Sequence, residues 1–239
     1  MSAALYLVDP AVAATAQVGA EVRLDGPEGR HAVAVARTEV GERIDLADGS
    51  GVVLHAVVAR LRGRDALVAR VEGRRVVPPP DPRVVVVQAL AKGERGETAV
   101  ETMTEVGVDA IVPWAAQRSI ARWGPERADR GRARWEATAR AAAKQSRRAW
   151  RPEIAPLAAT ADVLDRCGAA ARALVLHEGA VEPLHHVDLP ASGEIVLVVG
   201  PEGGLADAEL AALVGVGASP VRLGPTVLRT STAGTVAVP

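Results

Sequence analysis

Val77-Pro78-Pro79-Pro80-Asp81-Pro82 constrains this chain of 239 residues more than any other stretch. Its closely spaced prolines remove backbone donors and fix φ, so neither a helix nor a central strand can run through it. The chain is expected to fold as two blocks joined by a stiff extended linker. The boundaries that follow are a first domain over residues 1–77, a linker over 78–82 and a second domain over 83–239.

The two blocks carry different patterns. Before the prolines, Arg43-Ile44-Asp45-Leu46 alternates polar and apolar, and Asp48-Gly49-Ser50-Gly51 signals a turn. Val52–Val58 and Ala66–Val71 then read as further short strands. One helix is expected from about Glu28 to Arg37. Short strands with one helix predict a small β-barrel, because closure removes exposed sheet edges.

After the prolines, Val84–Leu90 is a continuous apolar run, as in a strand buried on both faces of a parallel sheet. Further strands are expected at Ala110–Pro113, Ala173–Leu176, Ile195–Val199 and Pro220–Leu223. Helices are expected between them near 94–106, 125–147, 161–167 and 207–214. Alternating strands and helices of this kind predict an α/β domain with a mainly parallel sheet.

Charge narrows the partners. The net charge is only −1, yet Ala116–Arg151 holds eleven basic and three acidic side chains, a local +8 against −9 elsewhere. A block of one sign suits a polyanion, and its bland counterpart is a solvated face whose arginines pair within the fold. On a helix, Lys144, Arg147 and Arg148 would share one face. Four Trp, one Tyr and no Phe argue against a stacking platform for bases. The single cysteine, Cys167, excludes an intrachain disulfide and thiolate metal clusters, and it fits a reducing compartment. His185 and His186 are adjacent rather than at helical spacing, so no metal is expected. No apolar run reaches the roughly 20 residues that span a bilayer, and the first residues lack a basic signal-peptide region. The expectation is a cytoplasmic protein with no membrane partner.

Ligands of open α/β sheets bind beyond the carboxyl ends of strands, and three strand ends here are unusual. They are Leu176-His177-Glu178-Gly179, then Gly200-Pro201-Glu202-Gly203-Gly204, then Leu223-Gly224-Pro225-Thr226-Val227-Leu228-Arg229-Thr230-Ser231-Thr232. Glycines let a ligand approach the main chain, although Gly-Pro and Gly-Gly also simply make turns. No G-x-G-x-x-G, P-loop or G-x-S-x-G motif is present, so dinucleotide, nucleoside-triphosphate and serine-hydrolase fingerprints are missing.

Taken together, these loops resemble those of the SPOUT-class RNA methyltransferases, in particular the bacterial family that methylates N3 of a uridine in 16S ribosomal RNA. Arg30–Arg37 is similar to the family's PUA-like RNA-binding domain. Lys92-Gly93-Glu94-Arg95, Glu105-Val106-Gly107-Val108 and Lys144-Gln145-Ser146-Arg147-Arg148 match its other signatures. The resemblance implies a trefoil-knotted α/β domain after a PUA-like barrel, a homodimer, and S-adenosylmethionine held by the three loops. Carried onto this chain, the cofactor falls to Leu176, His177, Gly200, Gly203, Gly204, Leu223, Leu228 and Thr232. RNA contacts fall to His31, Arg37, Arg118, Arg122, Lys144, Arg147 and Arg148.

Arg229 is the candidate catalytic residue, because a fixed cation would stabilise charge on O2 and O4 as N3 loses its proton. Glu202 and His177 are open candidates for a base, as is bulk hydroxide. Gly234 departs from the family's more usual Ala, and the chain stops at Pro239 where the family's last helix runs on. The alternative is a non-catalytic RNA-binding or ribosome-assembly factor on the same fold, separated from the enzyme by cofactor binding.

Overall fold

A computed structural model describes residues 3–238. Along the chain run β1 (Ala4–Leu7), α1 (Pro10–Thr15), β2 (Glu21–Leu24), α2 (Gly26–Arg30), a π-helical turn (His31–Val35), β3 (Arg43–Ala47), β4 (Val52–Arg62) and β5 (Ala66–Val76). Beyond the prolines come β6 (Arg83–Ala89), α3 (Arg95–Glu105), β7 (Ala110–Trp114), α4 (Pro125–Gln145), β8 (Glu153–Ile154), α5 (Thr160–Ala169) and β9 (Arg172–Leu176). A short 3-10 turn (Leu184–His186), β10 (Glu194–Val199), α6 (Asp207–Gly215), β11 (Ser219–Val221) and α7 (Thr230–Ala237) complete it. The residues gather into two compact units. One holds the chain up to Pro79 together with Ala143–Arg151, and the other holds Pro80–Ala142 together with the chain from Pro152 on.

The first unit is a five-stranded sheet in the order β1-β3-β4-β5-β2. Strand β1 runs parallel to β3, and the other pairs are antiparallel. Alternation puts Ile44, Leu46, Leu54 and Leu67 into a core with Tyr6, Val22 and Leu24. The hydrogen-bonded order ends at β1 and β2 and does not close among the described residues. Strands β1 and β2 and helix α1 were not anticipated: four residues of strand, or six of helix, carry too little periodicity to register. The expected helix from Glu28 to Arg37 is α2 followed by the π turn, which ends at Val35, and two residues later Arg37 is left-handed (φ 56°).

Residues 143–151 belong with this first unit, on the other side of the division expected from sequence. The reason is local. The Trp150 indole N–H donates to the Val77 carbonyl at 3.0 Å, and Lys144 Nζ lies 2.8 Å from Glu28 Oε2. The same ammonium sits 5.9 Å from the centre of the Tyr6 ring.

The second unit is a six-stranded sheet in the order β11-β9-β10-β6-β7-β8, parallel throughout. Its central strands are buried on both faces. Val85, Val87, Val196 and Val198 face one core, and Val86, Leu174, Leu197 and Val199 face the other. Helix α3 stops at Gly107, whose φ of 107° favours glycine.

One expectation needs correction here. Helix α4 ends at Gln145: the amides of Arg147 and Arg148 turn back to the Lys144 and Ala143 carbonyls at 3.2 and 2.9 Å, and Arg147 is left-handed (φ 57°). Lys144, Arg147 and Arg148 therefore do not share a helical face. The glycine at 234 also has a packing reason. Helix α7 lies so close to α3 that a Cβ on Gly234 would stand 2.6 Å from the sulfur of buried Met103. One helix carries the bulk and the other yields the space.

Candidate functional site

The parallel sheet presents the carboxyl ends of β9, β10 and β11 together, and the loops leaving β9, β10 and β11 meet there. A cavity of about 260 Å³ is lined by Leu176, His177, Glu178, Val199, Gly200, Pro201, Glu202, Gly204, Leu205, Val227, Leu228, Arg229 and Arg95, with Thr230 and Ala233 of α7. A smaller one of about 120 Å³ adds Arg222, Leu223, Gly224, Pro225 and Thr226 and shares Leu176, His177, Leu228 and Ala233 with the first. Leu176, Val199, Leu205, Val227 and Leu228 give the first cavity aliphatic walls, and Arg95, His177, Glu178, Glu202 and Arg229 add ionisable groups.

Several local features fix this arrangement. The His177 amide donates to the Val221 carbonyl at 3.0 Å, which ties the first loop to β11. Gly204 adopts φ 70°, a left-handed conformation costly for any residue with a Cβ, and it closes a turn by donating to the Pro201 carbonyl at 2.9 Å. Nothing stands within 4 Å of the place its Cβ would occupy. The glycine is thus required by the backbone rather than by crowding. Arg229 immediately precedes the first turn of α7 and is among the residues that line the cavity.

The electrostatics separate the two candidate bases from the candidate cation. Burial pushes the Glu202 carboxyl up, but hydrogen bonds from its own amide, the Lys92 amide and Arg95 outweigh it, so the group lies below its ordinary range. The Lys92 amide and Arg95 Nη1 stand 3.2 and 3.3 Å from Glu202 Oε1. A carboxylate so held is a weak base. His177 Nδ1 accepts from the Gly179 amide at 3.1 Å, so in the neutral ring the proton sits on Nε2 and the basic lone pair is occupied. Glu202 pairs with Arg95 rather than with Arg229, and no carboxylate pairs with Arg229 among the described residues.

Of the residues expected to hold a cofactor, Leu176, His177, Gly200, Gly204, Leu223 and Leu228 line these cavities, with Arg229 beside them. Gly203 and Thr232 do not. Gly203 faces Arg118, whose Cβ would lie 3.4 Å from a Cβ placed there. Thr232 turns its hydroxyl back to the Arg229 carbonyl at 3.2 Å. Arg95, Glu178, Val227 and Thr230 were missed. Glu178, Val227 and Thr230 stand in the strand-end loops that the sequence singles out, and Arg95 belongs to the Lys92–Arg95 signature.

The residues expected to meet RNA are scattered in their roles. His31, on the π turn, is exposed beside Tyr6, and Arg37 and Arg147 are exposed with left-handed backbones. Lys144 is held by Glu28, and Arg148 makes contacts of its own. Arg122 donates to the Gln117 carbonyl at 3.3 Å. Arg118 donates to the Leu205 carbonyl at 2.9 Å, which engages it within the fold. Among the described residues no cluster of three or more His, Cys, Asp or Glu side chains could hold a metal ion, and no helix is long and apolar enough to cross a membrane.

A parallel sheet whose strand-end loops, one of them glycine-rich, converge on a cavity with aliphatic walls defines a nucleotide-type cofactor site in an α/β enzyme. Comparison with known proteins makes the class specific. Residues 78–239 match the model of the RNA methyltransferase domain, and residues 24–72 match that of the RNA methyltransferase PUA domain. The chain belongs to this RNA methyltransferase family. It is 47% identical over 242 residues to ribosomal RNA small subunit methyltransferase E of Mycobacterium tuberculosis, covering 100% of this chain and 90% of that one. A Synechocystis protein of the same name is 33% identical over 85% of this chain and 67% of its own. Among solved structures, ribosomal RNA small subunit methyltransferase E of Neisseria gonorrhoeae, bound to S-adenosylmethionine, aligns with TM-score 0.86 at 27% identity over 99% of this chain and 95% of that one. A Legionella pneumophila methyltransferase with the same bound cofactor aligns at 0.85 and 26% identity over 100% and 96%.

Proposed function

We propose that this chain transfers the methyl group of S-adenosylmethionine to small-subunit (16S) ribosomal RNA, at N3 of a uridine. The observation that carries the reading is the meeting of three strand-end loops and Arg229 at one aliphatic cavity in a chain of this family. The residues fit the cofactor: Leu176, Val199 and Leu228 offer apolar walls to an adenine, and open space lies beside Gly204 where a side chain would intrude. When bound, the cofactor supplies the electrophilic methyl group.

The chain's own residues then bind, orient and stabilise. The aliphatic walls exclude water, which strengthens every charge interaction inside. Arg229 offers a fixed cation for the negative charge that spreads onto O2 and O4 as N3 loses its proton, and this acts most in the transition state. Glu202 and His177 are both committed to hydrogen bonds, so proton removal falls to solvent hydroxide or to the substrate's own surroundings. The same reading assigns the sheet unit at the N-terminus to RNA binding, and it includes the homodimer and knotted chain path that the family resemblance implies.

The test is incorporation of labelled methyl from S-adenosylmethionine into small-subunit rRNA, followed by mass mapping of the modified base. A uridine carrying the label on N3 is the expected product. Label on another atom would overturn the N3 assignment, and RNA binding without incorporation would leave a non-catalytic RNA-binding factor.

A further inference from the structure

We infer that Arg118 and Glu209 are positioning residues that hold the glycine loop in its cofactor-binding shape, an inference that rests on the cofactor reading above. Neither lines the cavity. Both act on the loop between Gly200 and Ala206.

The loop contains two peptide units committed at both ends. In the unit after Gly203, the Gly204 N–H donates to the Pro201 carbonyl at 2.9 Å and the Gly203 carbonyl lies 3.5 Å from Arg118 Nη1. In the unit after Leu205, the carbonyl accepts from Arg118 Nη1 at 2.9 Å and the Ala206 N–H donates to Glu209 Oε2 at 3.2 Å. A planar peptide has no internal freedom, so fixing its two ends fixes its orientation. Gly204 and Leu205, which do line the cavity, sit between these two locked planes.

Glu209 also fixes the residue that does the locking. Its carboxylate is buried, at 6% exposure, and its other oxygen accepts from the Gln117 amide at 2.8 Å and from Thr160 Oγ1 at 3.3 Å. Thr160 Oγ1 in turn accepts from the Trp114 indole at 3.3 Å. The carboxylate therefore ties the main chain next to Arg118 to the end of the loop that Arg118 grips. A buried carboxylate with several donors is rigid, and losing any of them is costly. Both carbonyls face the same nitrogen, Nη1, while Nη2 lies 3.9 Å from Asp207 Oδ1. This assignment replaces RNA contact as the role of Arg118.

Arg118→Gln tests it, since the side chain is 48% exposed and its loss leaves the core intact. S-adenosylmethionine and 16S rRNA are titrated separately against the full chain, and turnover is followed over a range of cofactor concentrations. The expected result is a cofactor Kd raised about tenfold, the scale of one charge-assisted hydrogen bond. The cofactor KM should rise with it while kcat at saturation holds, and RNA affinity and its salt slope should stay put. Arg118→Lys should recover part of the loss, and Glu209→Gln should reproduce it. Unchanged cofactor affinity in Arg118→Gln overturns the inference. So does a salt slope for RNA lowered by about one with cofactor binding intact, which would make Arg118 a phosphate contact. A wild-type chain that fails to bind S-adenosylmethionine would instead bring down the proposed function itself.

Discussion

In the first unit a strand such as β4 buries residues in alternation and meets its neighbours antiparallel, whereas in the second every residue of β7 is buried and all pairs are parallel. The contrast has a direct consequence for chemistry. Parallel strands deliver all their carboxyl ends to one side, so loops that are far apart in sequence, after Leu176, Val199 and Val221, converge on a single cavity. An antiparallel sheet sends successive ends in opposite directions and gathers no such cluster. The second unit gathers its loops at one end of the sheet, while in the first unit His31, Arg37 and Arg147 stand exposed.

That contrast breaks most sharply at Arg229. Replacing it with Gln should lower kcat for rRNA methylation by about 100- to 1000-fold, the scale of one lost transition-state donor, while cofactor affinity holds. Equal losses in kcat and cofactor binding would make it a structural residue of the loop. Gly234→Ala comes next. Its methyl group meets Met103 in the core, so urea denaturation should show about 1–3 kcal/mol of lost stability. Gly204→Ala should cost about 1–2 kcal/mol through its left-handed backbone, read as weaker cofactor binding in calorimetry. In the first unit, Lys144→Ala takes the ammonium from a mostly buried Glu28, which still accepts from the Leu7 amide at 3.3 Å, and should remove about 1 kcal/mol of stability, with the salt slope of RNA binding unchanged. A lower slope with intact stability would return Lys144 to the RNA face.

The smallest effect concerns pH. Burial pushes the Cys167 thiol up to about 11, so the folded chain keeps it neutral where an unfolded chain ionises it near 9.0. Stability from this group is complete below the unfolded value and falls as pH rises toward the folded one. The stability difference between wild type and Cys167→Ala should therefore hold near neutrality and shift against the wild type in alkali. A flat difference up to about pH 10.5 would mean that the thiol is not shielded.

How legible these features were in the sequence depends on how many residues shared a task. Strand β6 declared itself because Val84–Val87 must be apolar on both faces, and the glycine loop because its turn tolerates few residue types. Strands β1 and β2 were hidden, since four residues at a sheet edge show neither pattern. Helix α7 was hidden as well. Its Thr-Ser-Thr-Ala-Gly sequence is poor in helix formers and depends on packing against α3. The basic block pointed to a polyanion but could not tell which of its side chains are free to meet one. Charge counted along the chain takes no account of partners brought in by folding, and Lys144 and Arg118 both have them. Arg229, selected from the sequence for its charge and its place in the third loop, is among the residues that line the cavity.

The membership of Ala143–Arg151 in the N-terminal unit sets a timetable for synthesis. Domains generally fold as they leave the ribosome, N-terminal first. Here the lysine that meets Glu28 and the indole that meets Val77 emerge only after the whole of residues 80–142 has been made. The earliest stretch of chain must wait, incomplete, while much of its neighbour is translated. A fragment ending at Pro79 would wait indefinitely.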